Sequence, residues 1–364
     1  MVTKEKKLSI FEKYLTSWIS GVTVTRAGVF KKISPEWTKE DRKGLFLCRL
    51  SNTFRMKYSV PTGLYAVGDP DESSNVFVTA NYKLSFDILR RELTGLDAWV
   101  LVLDTKGINV WCAAGKGTFG TKEVITRIKT VKLDAVVEHR KIIIPQLGAA
   151  GVHAHLVKKE TGFTVLYGPV QARDIKAYIE AGYNACKEMR TVQFPISERI
   201  ILTPMEIIPA LTKLPFFAAG LFILFGLAPK GILFEPALSQ GWPFLIMGTA
   251  SIFAGGFLTP VLLPFLPFRS FAIKGLITGG ILAGLLCFLF NQSFQTNIFL
   301  LLLALLFFPA ASSYMALNFT GATPITNISG VKKELKTAIP LYIAALVVAF
   351  ILMVLYILKK WNVI

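Results

Sequence analysis

The sequence predicts an α/β Rossmann-like domain over residues 1–205, followed by an all-α five-helix transmembrane domain over 206–364. Three observations carry that prediction. Hydrophobic residues make up 53% of the 364 positions and charged ones 17%, with a mean hydropathy of +0.52, too apolar for an ordinary soluble protein of this size. The net charge of +17 is unevenly spread: from residue 210 onward there are nine basic and two acidic residues, which leaves 31 and 21 in 1–209. Within that first part, short β-rich runs alternate with helical stretches. The composition excludes disorder, a collagen-like fibre and a disulfide scaffold.

The first candidate element is Leu8 to Val22, where Leu8, Phe11, Leu15, Trp18, Ile19 and Val22 share one face at helical spacing. It reads as a packing helix or as a helix lying on a membrane surface. Strands follow at 74–80 (SNVFVTA), 98–103 (AWVLVL), 141–145 (KIIIP) and 164–167 (TVLY), nearly continuous in Val, Ile, Leu and Phe, as suits parallel strands covered on both faces. Helical stretches at 83–93, 122–131 and 175–190 complete the order β-α-β-α-β-x-β-α. In a doubly wound sheet ligands bind outside the carboxyl ends of the strands. The segments there are 81–82, 106–121, 146–155 and 168–174, so four loops on one edge define one site.

No charged residue falls in 236–268 or 275–331, and each run exceeds the ~20 apolar residues that cross a bilayer. Five spans are expected, at 207–228, 242–266, 271–290, 297–317 and 339–358, separated by 229–231, 267–269, 291–293 and the polar segment 318–337. Lys213 and Lys274 lie near span ends, where their stems let the ammonium reach the headgroups. The absence of acidic residues within the spans argues against a proton-coupled transporter. Loop charge sets orientation: Arg269 and Lys274, and Lys332, Lys333 and Lys336, are expected on the cytoplasmic side. The α/β domain then faces the cytoplasm from the inner membrane and the C-terminus lies outside, a last step that Lys359 and Lys360 oppose. The N-terminus, MVTKEKKLSIFEKYL, has no apolar h-region of a signal peptide.

Cys48, Cys112, Cys186 and Cys287 share no C-x-x-C spacing, so the chain is expected to hold neither a zinc site nor an iron–sulfur cluster by itself. Cys48, Cys186 and Cys287 read as small buried hydrophobes. Cys112 stands in GINVWCAAGK (107–116), directly after the strand at 98–103. The Gly/Ala-rich text permits close approach to a bulky ligand, and a helix turn there aims N–H groups at a thiolate; a structural Cys fits equally. No aromatic-interleaved basic motif points to nucleic acid.

The stretch 105–121, TKGINVWCAAGKGTFGT, resembles the cap-helix motif of the mercury-methylating corrinoid proteins (the HgcA family), relatives of the large subunit of the corrinoid iron–sulfur protein of acetyl-CoA synthesis. VTANYKLSFDILR (78–90), QLGAAGVHAHLVKKETGF (146–163) and YGPVQARDI (167–175) resemble the same family, and the apolar tail also fits it. The text departs from that pattern at Ala150, where Pro is expected, and at Gln171, where Arg is expected.

The resemblance implies a cobalamin-type corrinoid whose cobalt takes the Cys112 thiolate as its lower axial ligand, and transfer of the cobalt-bound methyl group to Hg(II) to make methylmercury. It places Asn109, Val110, Trp111, Ala113, Ala114 and Gly115 under the corrin ring, with Lys116 beside phosphate or carboxamide groups. Thr79, Asn81, Gln146, Gly148, Gly168 and Ala172 line the rim, and His155 contacts the corrinoid or is simply hydrogen-bonded. A soft, strongly donating thiolate favours a methyl group leaving as a carbanion or radical, the polarity that electrophilic Hg(II) needs. The implied partners are a ferredoxin-like protein with two [4Fe-4S] clusters, for reduction after each turnover, and a methyltetrahydrofolate-dependent methyl donor. The alternative is a membrane-anchored methyl carrier in folate/acetyl-CoA one-carbon metabolism.

Overall fold

In the computed structural model the described residues are 17–229, 231–290, 294, 297–323, 326 and 328–363. Leu8, Phe11, Leu15, Lys230 and the 291–293 break lie outside them. The chain forms two compact units that divide between Gln193 and Phe194.

The first unit begins with a hairpin of β1 (Ile19–Thr25) and β2 (Gly28–Ile33), then α1 (Lys39–Leu50), α2 (Asn52–Lys57), β3 (Gly63–Val67), β4 (Asn75–Ala80) and α3 (Lys83–Glu92). β5 (Ala98–Leu103), α4 (Val110–Lys116), α5 (Thr121–Thr130), β6 (Lys141–Ile144), α6 (Ala154–Thr161), β7 (Thr164–Tyr167), α7 (Ile175–Glu180) and α8 (Lys187–Arg190) follow. The seven strands form one sheet in the order β1-β2-β3-β5-β4-β6-β7. Alternation along the strands separates two cores. Val76, Val78 and Ala80 pack with Val124, Ile128 and Val157, while Phe77, Val100 and Ile143 pack with Phe86, Leu89 and Ile175 on the other face.

All four expected strands form β4 to β7 and run parallel to one another, with Val78 opposite Leu101 and Ile143 opposite Leu166. The sheet is nevertheless mixed, because β3 is antiparallel to β5 and β1 to β2. The expected helix over 8–22 is corrected where it is described: Ile19–Thr25 is a strand, because the β-branched run Val22-Thr23-Val24-Thr25 reverses at Gly28 (φ 138°) into β2. Trp18 is buried, edge-on to Phe86 and Tyr65. The expected helix over 175–190 is two short helices, broken where Gly182 and Tyr183 both take left-handed φ (64° and 65°). Cys186, just past that break, is exposed rather than buried.

The second unit starts with α9 (Ile196–Leu202), whose Arg199 donates to the carbonyls of Phe194, Pro260 and Val261 (3.2, 3.3 and 2.5 Å). These bonds hold α9 to the apolar helices and place the division ahead of residue 205. α10 (Pro204–Leu211) and α11 (Leu214–Gly226) follow with a bend of 43°, where Pro215 removes a helical donor. α12 (Phe234–Phe253) continues through a π-turn to Val261, and α13 (Phe271–Leu289), α14 (Ile298–Asn318) and α15 (Ile328–Lys360) complete the unit. Among the described residues four helices are long and apolar enough to cross a membrane, or five if the bent pair counts as one span. α13 and α14 meet through small residues: a Cβ on Gly279 would lie 2.4 Å from that of Ser312, and the Ser312 hydroxyl donates to the Gly275 carbonyl at 2.9 Å. The last span differs from expectation. α15 begins at Ile328, so Lys332, Lys333 and Lys336 ride on its first turns rather than in a loop, and the Glu334 carboxylate accepts from the Phe271 and Ala272 amides that open α13.

Candidate functional site

The parallel strands set the place of the site. From β4 the chain winds to β5 on one side and then crosses to β6 on the other, so strand order reverses at β4 and opens a crevice at the carboxyl ends. The corner after β5 is shaped by two left-handed residues, Lys106 (φ 59°) and Gly107 (φ 72°). Such a turn exposes main-chain donors, and the buried Asn81 Oδ1 takes them up, accepting from the Thr105 amide (3.1 Å), the Thr105 hydroxyl (2.8 Å) and the Gly107 amide (2.9 Å).

That brace delivers the chain into α4. Asn109 caps it by accepting from the Cys112 amide at 3.0 Å, and Gly117 (φ 80°) ends it in the left-handed conformation that glycine tolerates. Val110, Ala113 and Ala114 face the core, Trp111 and Cys112 are half-buried, and Gly115 and Lys116 are exposed. α4 seats on the 3₁₀ segment Gln146–Gly151 through glycine. A Cβ on Gly151 would fall 2.2 Å from the Phe119 carbonyl and 3.1 Å from Ala114 Cα, and one on Gly148 would fall 2.5 Å from the Phe119 ring.

Beside α4 lies a cavity of about 250 Å³. It gathers six of the predicted residues, Thr79, Asn109, Val110, Trp111, Gly168 and Ala172. Its far wall, Ser85, Ile88 and Leu89 of α3, was not among the predicted site residues, although it lies within the family-like segment 78–90. The departure from the expected pattern at Gln171 sits in this wall, whereas Ala150 is exposed.

The other predicted positions are not walls of the cavity. Asn81 acts through the loop it braces, Gly148 packs beneath Phe119, and the Gln146 side-chain oxygen Oε1 accepts from Arg190 at 3.0 Å. His155 is exposed on α6, its ring 6.1 Å from that of His153. Ala113 and Ala114 pack inward, Gly115 and Lys116 face solvent, and Cys112 follows the turn that lines the cavity without lining it. Burial pushes the Cys112 thiol above its ordinary value, against the opposing pull of Arg55, Lys116 and the Asn109 side chain. Desolvation prevails over the pull of these three groups, and binding a metal at this sulfur must displace a proton.

A second feature gave no sequence signal. Lys83 and Arg90 are fully buried and share two carboxylates: Lys83 Nζ lies 2.8 Å from Asp41 and 2.7 Å from Asp87, and Arg90 lies 2.7 Å from Asp41 and 2.8 Å from Asp87. Arg90 also donates to the Ser34 and Glu36 carbonyls. Burial alone would raise the Asp41 carboxyl, but Lys83 and Arg90 hold it below the usual range, whereas burial prevails at Asp87 and raises it. The network locks α1 and the preceding loop to α3, and so fixes the helix that closes the cavity. Lys83, Asp87 and Arg90 stand at i, i+4 and i, i+3 spacings on one helix, but Asp41 is distant along the chain and joins them only in the fold.

Residues 52–179 match the model of a family described as CO dehydrogenase/acetyl-CoA synthase delta subunit. The chain is 34% identical over 131 residues to the acetyl-CoA decarbonylase/synthase complex subunit gamma of Archaeoglobus fulgidus, which covers 35% of this chain and 27% of the relative. It is 33% identical over 120 residues to the corrinoid/iron-sulfur protein large subunit of Moorella thermoacetica, covering 32% and 26%. The match to the corresponding gamma subunit of Methanopyrus kandleri is 34% over 128 residues. The chain thus spans about a quarter of the length of these relatives, and the helical unit lies beyond the matched family segment. Residues 52–179, which contain the cavity, the brace and the Cys112 helix, form a domain homologous to the acetyl-CoA synthase and corrinoid/iron-sulfur protein subunits.

Proposed function

We propose that this chain is a membrane-anchored corrinoid protein that passes a methyl group from cobalt to Hg(II), with Cys112 as the protein ligand of the metal. The observation that carries the reading is a single soft donor, half-buried on a capped helix at the edge where strand order reverses. Among the described residues no three Cys, His, Asp or Glu side chains gather into a metal-sized cluster. A lone thiol therefore suits a metal that brings its other ligands with it, as the cobalt of a macrocycle does.

A cobalt corrinoid supplies a transferable methyl group, and a thiolate on its metal adds the electron density that an electrophilic acceptor draws on. The chain's residues divide the remaining work. Asn109, Val110 and Trp111 bring the start of the cap helix to the cavity, Thr79, Gly168 and Ala172 line the rim, and Lys116 offers an exposed cation to phosphate or carboxamide groups. Asn81 and Gly148 hold the cap helix in place, while Gln146 and His155 sit outside the cavity on the same edge. With 30 basic against 19 acidic residues up to Gln193, the α/β unit favours an acidic partner, which fits a ferredoxin-like protein with two [4Fe-4S] clusters as the electron source. A methyltetrahydrofolate-dependent system supplies the methyl group. The positive-inside rule, applied to Arg269, Lys274, Lys332, Lys333 and Lys336, supports an α/β unit facing the cytoplasm from the inner membrane.

A second reading, a methyl carrier in one-carbon metabolism, is favoured by the names of the relatives, subunits of acetyl-CoA decarbonylase/synthase complexes. One experiment separates the two. Full-length protein loaded with methylcobalamin is offered Hg(II) under reducing conditions, and methylmercury is measured against free methylcobalamin. The proposal expects at least a tenfold excess over that background, lost in Cys112→Ala. Methylmercury at background from protein that has bound the corrinoid would reject Hg(II) as acceptor and leave the carrier reading.

A further inference from the structure

The helical unit contains a cavity of about 860 Å³. We propose that it binds the phosphate-bearing headgroup of an acidic phospholipid. Four cations line it: Arg199 of α9, Arg269 ahead of α13, Lys274 of α13 and Lys333 of α15. The only carboxylate among its described lining residues, Glu334, is already engaged by the main-chain amides of Phe271 and Ala272.

Two of the cations are buried, Arg199 at 5% exposure and Lys274 at 6%. Their hydrogen bonds go to main-chain carbonyls, those of Phe194, Pro260 and Val261 for Arg199 and that of Leu263 for Lys274. Among the described residues none of the four cations pairs with a carboxylate within 4.0 Å. Carbonyl dipoles solvate a cation but leave its charge uncancelled, and a buried charge in an apolar setting costs several kcal/mol unless an anion neutralises it. Arg269 and Lys333 are exposed at the mouth, where an anion enters.

The cavity's place chooses the ligand. It sits where the first turns of α13 and α15 leave their long apolar stretches, so a headgroup bound here keeps its acyl chains along those helices. The opening carries Phe268 at 65% exposure, an apolar surface that inorganic phosphate cannot use. Basic pockets between spanning helices at this depth suit acidic headgroups.

The test uses the full chain in detergent, exposed to phosphatidylglycerol or phosphatidylcholine and read by native mass spectrometry. At least tenfold preferential retention of phosphatidylglycerol is expected, lost in Arg269→Gln/Lys333→Gln, whose side chains are exposed, and kept in Lys332→Gln/Lys336→Gln, which removes the same charge from the neighbouring helix surface. Glycerol phosphate and inorganic phosphate form the other arms, and neither should displace the lipid at equal concentration. Equal retention of the two lipids would overturn the proposal. Equal losses in the two double variants would do the same, by showing diffuse attraction, as would displacement by inorganic phosphate, by showing a soluble-anion site.

Discussion

Both units bury positive charge, and they neutralise it differently. In the α/β unit Lys83 and Arg90 each meet Asp41 and Asp87 within 2.8 Å, so the charge closes on itself. In the helical unit Arg199 and Lys274 are nearly as buried and meet carbonyl oxygens. The first arrangement is internal architecture, complete when the chain folds, and it steadies the wall of a cavity. The second calls for an anion from outside. The difference also follows the comparisons, because α3 of the self-neutralised network lies in the segment shared with the corrinoid-protein relatives and the open cationic cluster lies beyond it.

The largest expected effect comes from breaking the closed network. Lys83→Met leaves Asp41 and Asp87 buried with only Arg90, and should destabilise the α/β unit by about 3–5 kcal/mol, measured by urea unfolding. Arg199→Met removes a buried cation together with its need for an anion, so its effect should be smaller than that of Lys83→Met. Equal losses would break the comparison.

Next comes the brace. Asn81→Ala strands the Thr105 and Gly107 amides and should cost about 1–3 kcal/mol, with amide exchange quickening at those two positions before it does in β5. Gly151→Ala sharpens the same point from below, since a Cβ 2.2 Å from the Phe119 carbonyl must push α4 off its seat, at a cost of about 1–3 kcal/mol.

The smallest effect concerns the thiol. Because burial raises the Cys112 thiol, alkylation of the metal-free chain at this position should be slow near neutral pH and quicken about tenfold per pH unit as the thiolate forms. Metal ligation at this sulfur should weaken as pH falls, since each ligation event displaces a proton. A plateau of the alkylation rate below neutral pH would mean that the helix terminus outweighs burial.

Much of this was legible in the residues. The four strands β4 to β7 were visible because Val, Ile and Leu run nearly unbroken through them, as two-sided burial demands. The spans at α13 and α14 were visible because no charge interrupts them after Lys274 in the first turn of α13. Other features were hidden for physical reasons. The hairpin β1–β2 lies at the sheet edge with exposed Val22, Val24 and Val29, so it lacks a buried strand's pattern. Asp41 joins Lys83 only through the fold. The local roles of Asn81 and Gly148 were hidden as well, because they depend on the fold: one spends its side-chain oxygen on backbone amides and the other leaves room for the Phe119 ring.

The central claim is that the Cys112 sulfur ligates the cobalt of a corrinoid. Electron paramagnetic resonance of the full chain loaded with cob(II)alamin tests it directly, because a nitrogen ligand splits the cobalt lines and a sulfur ligand does not. The expected spectrum shows no nitrogen splitting in the parent chain, changes in Cys112→Ala and is unchanged when Cys48, Cys186 or Cys287 is replaced by Ala. Nitrogen splitting in the parent, or a Cys112→Ala spectrum identical to it, would contradict thiolate ligation and with it the reading of this helix as a cobalt-binding cap.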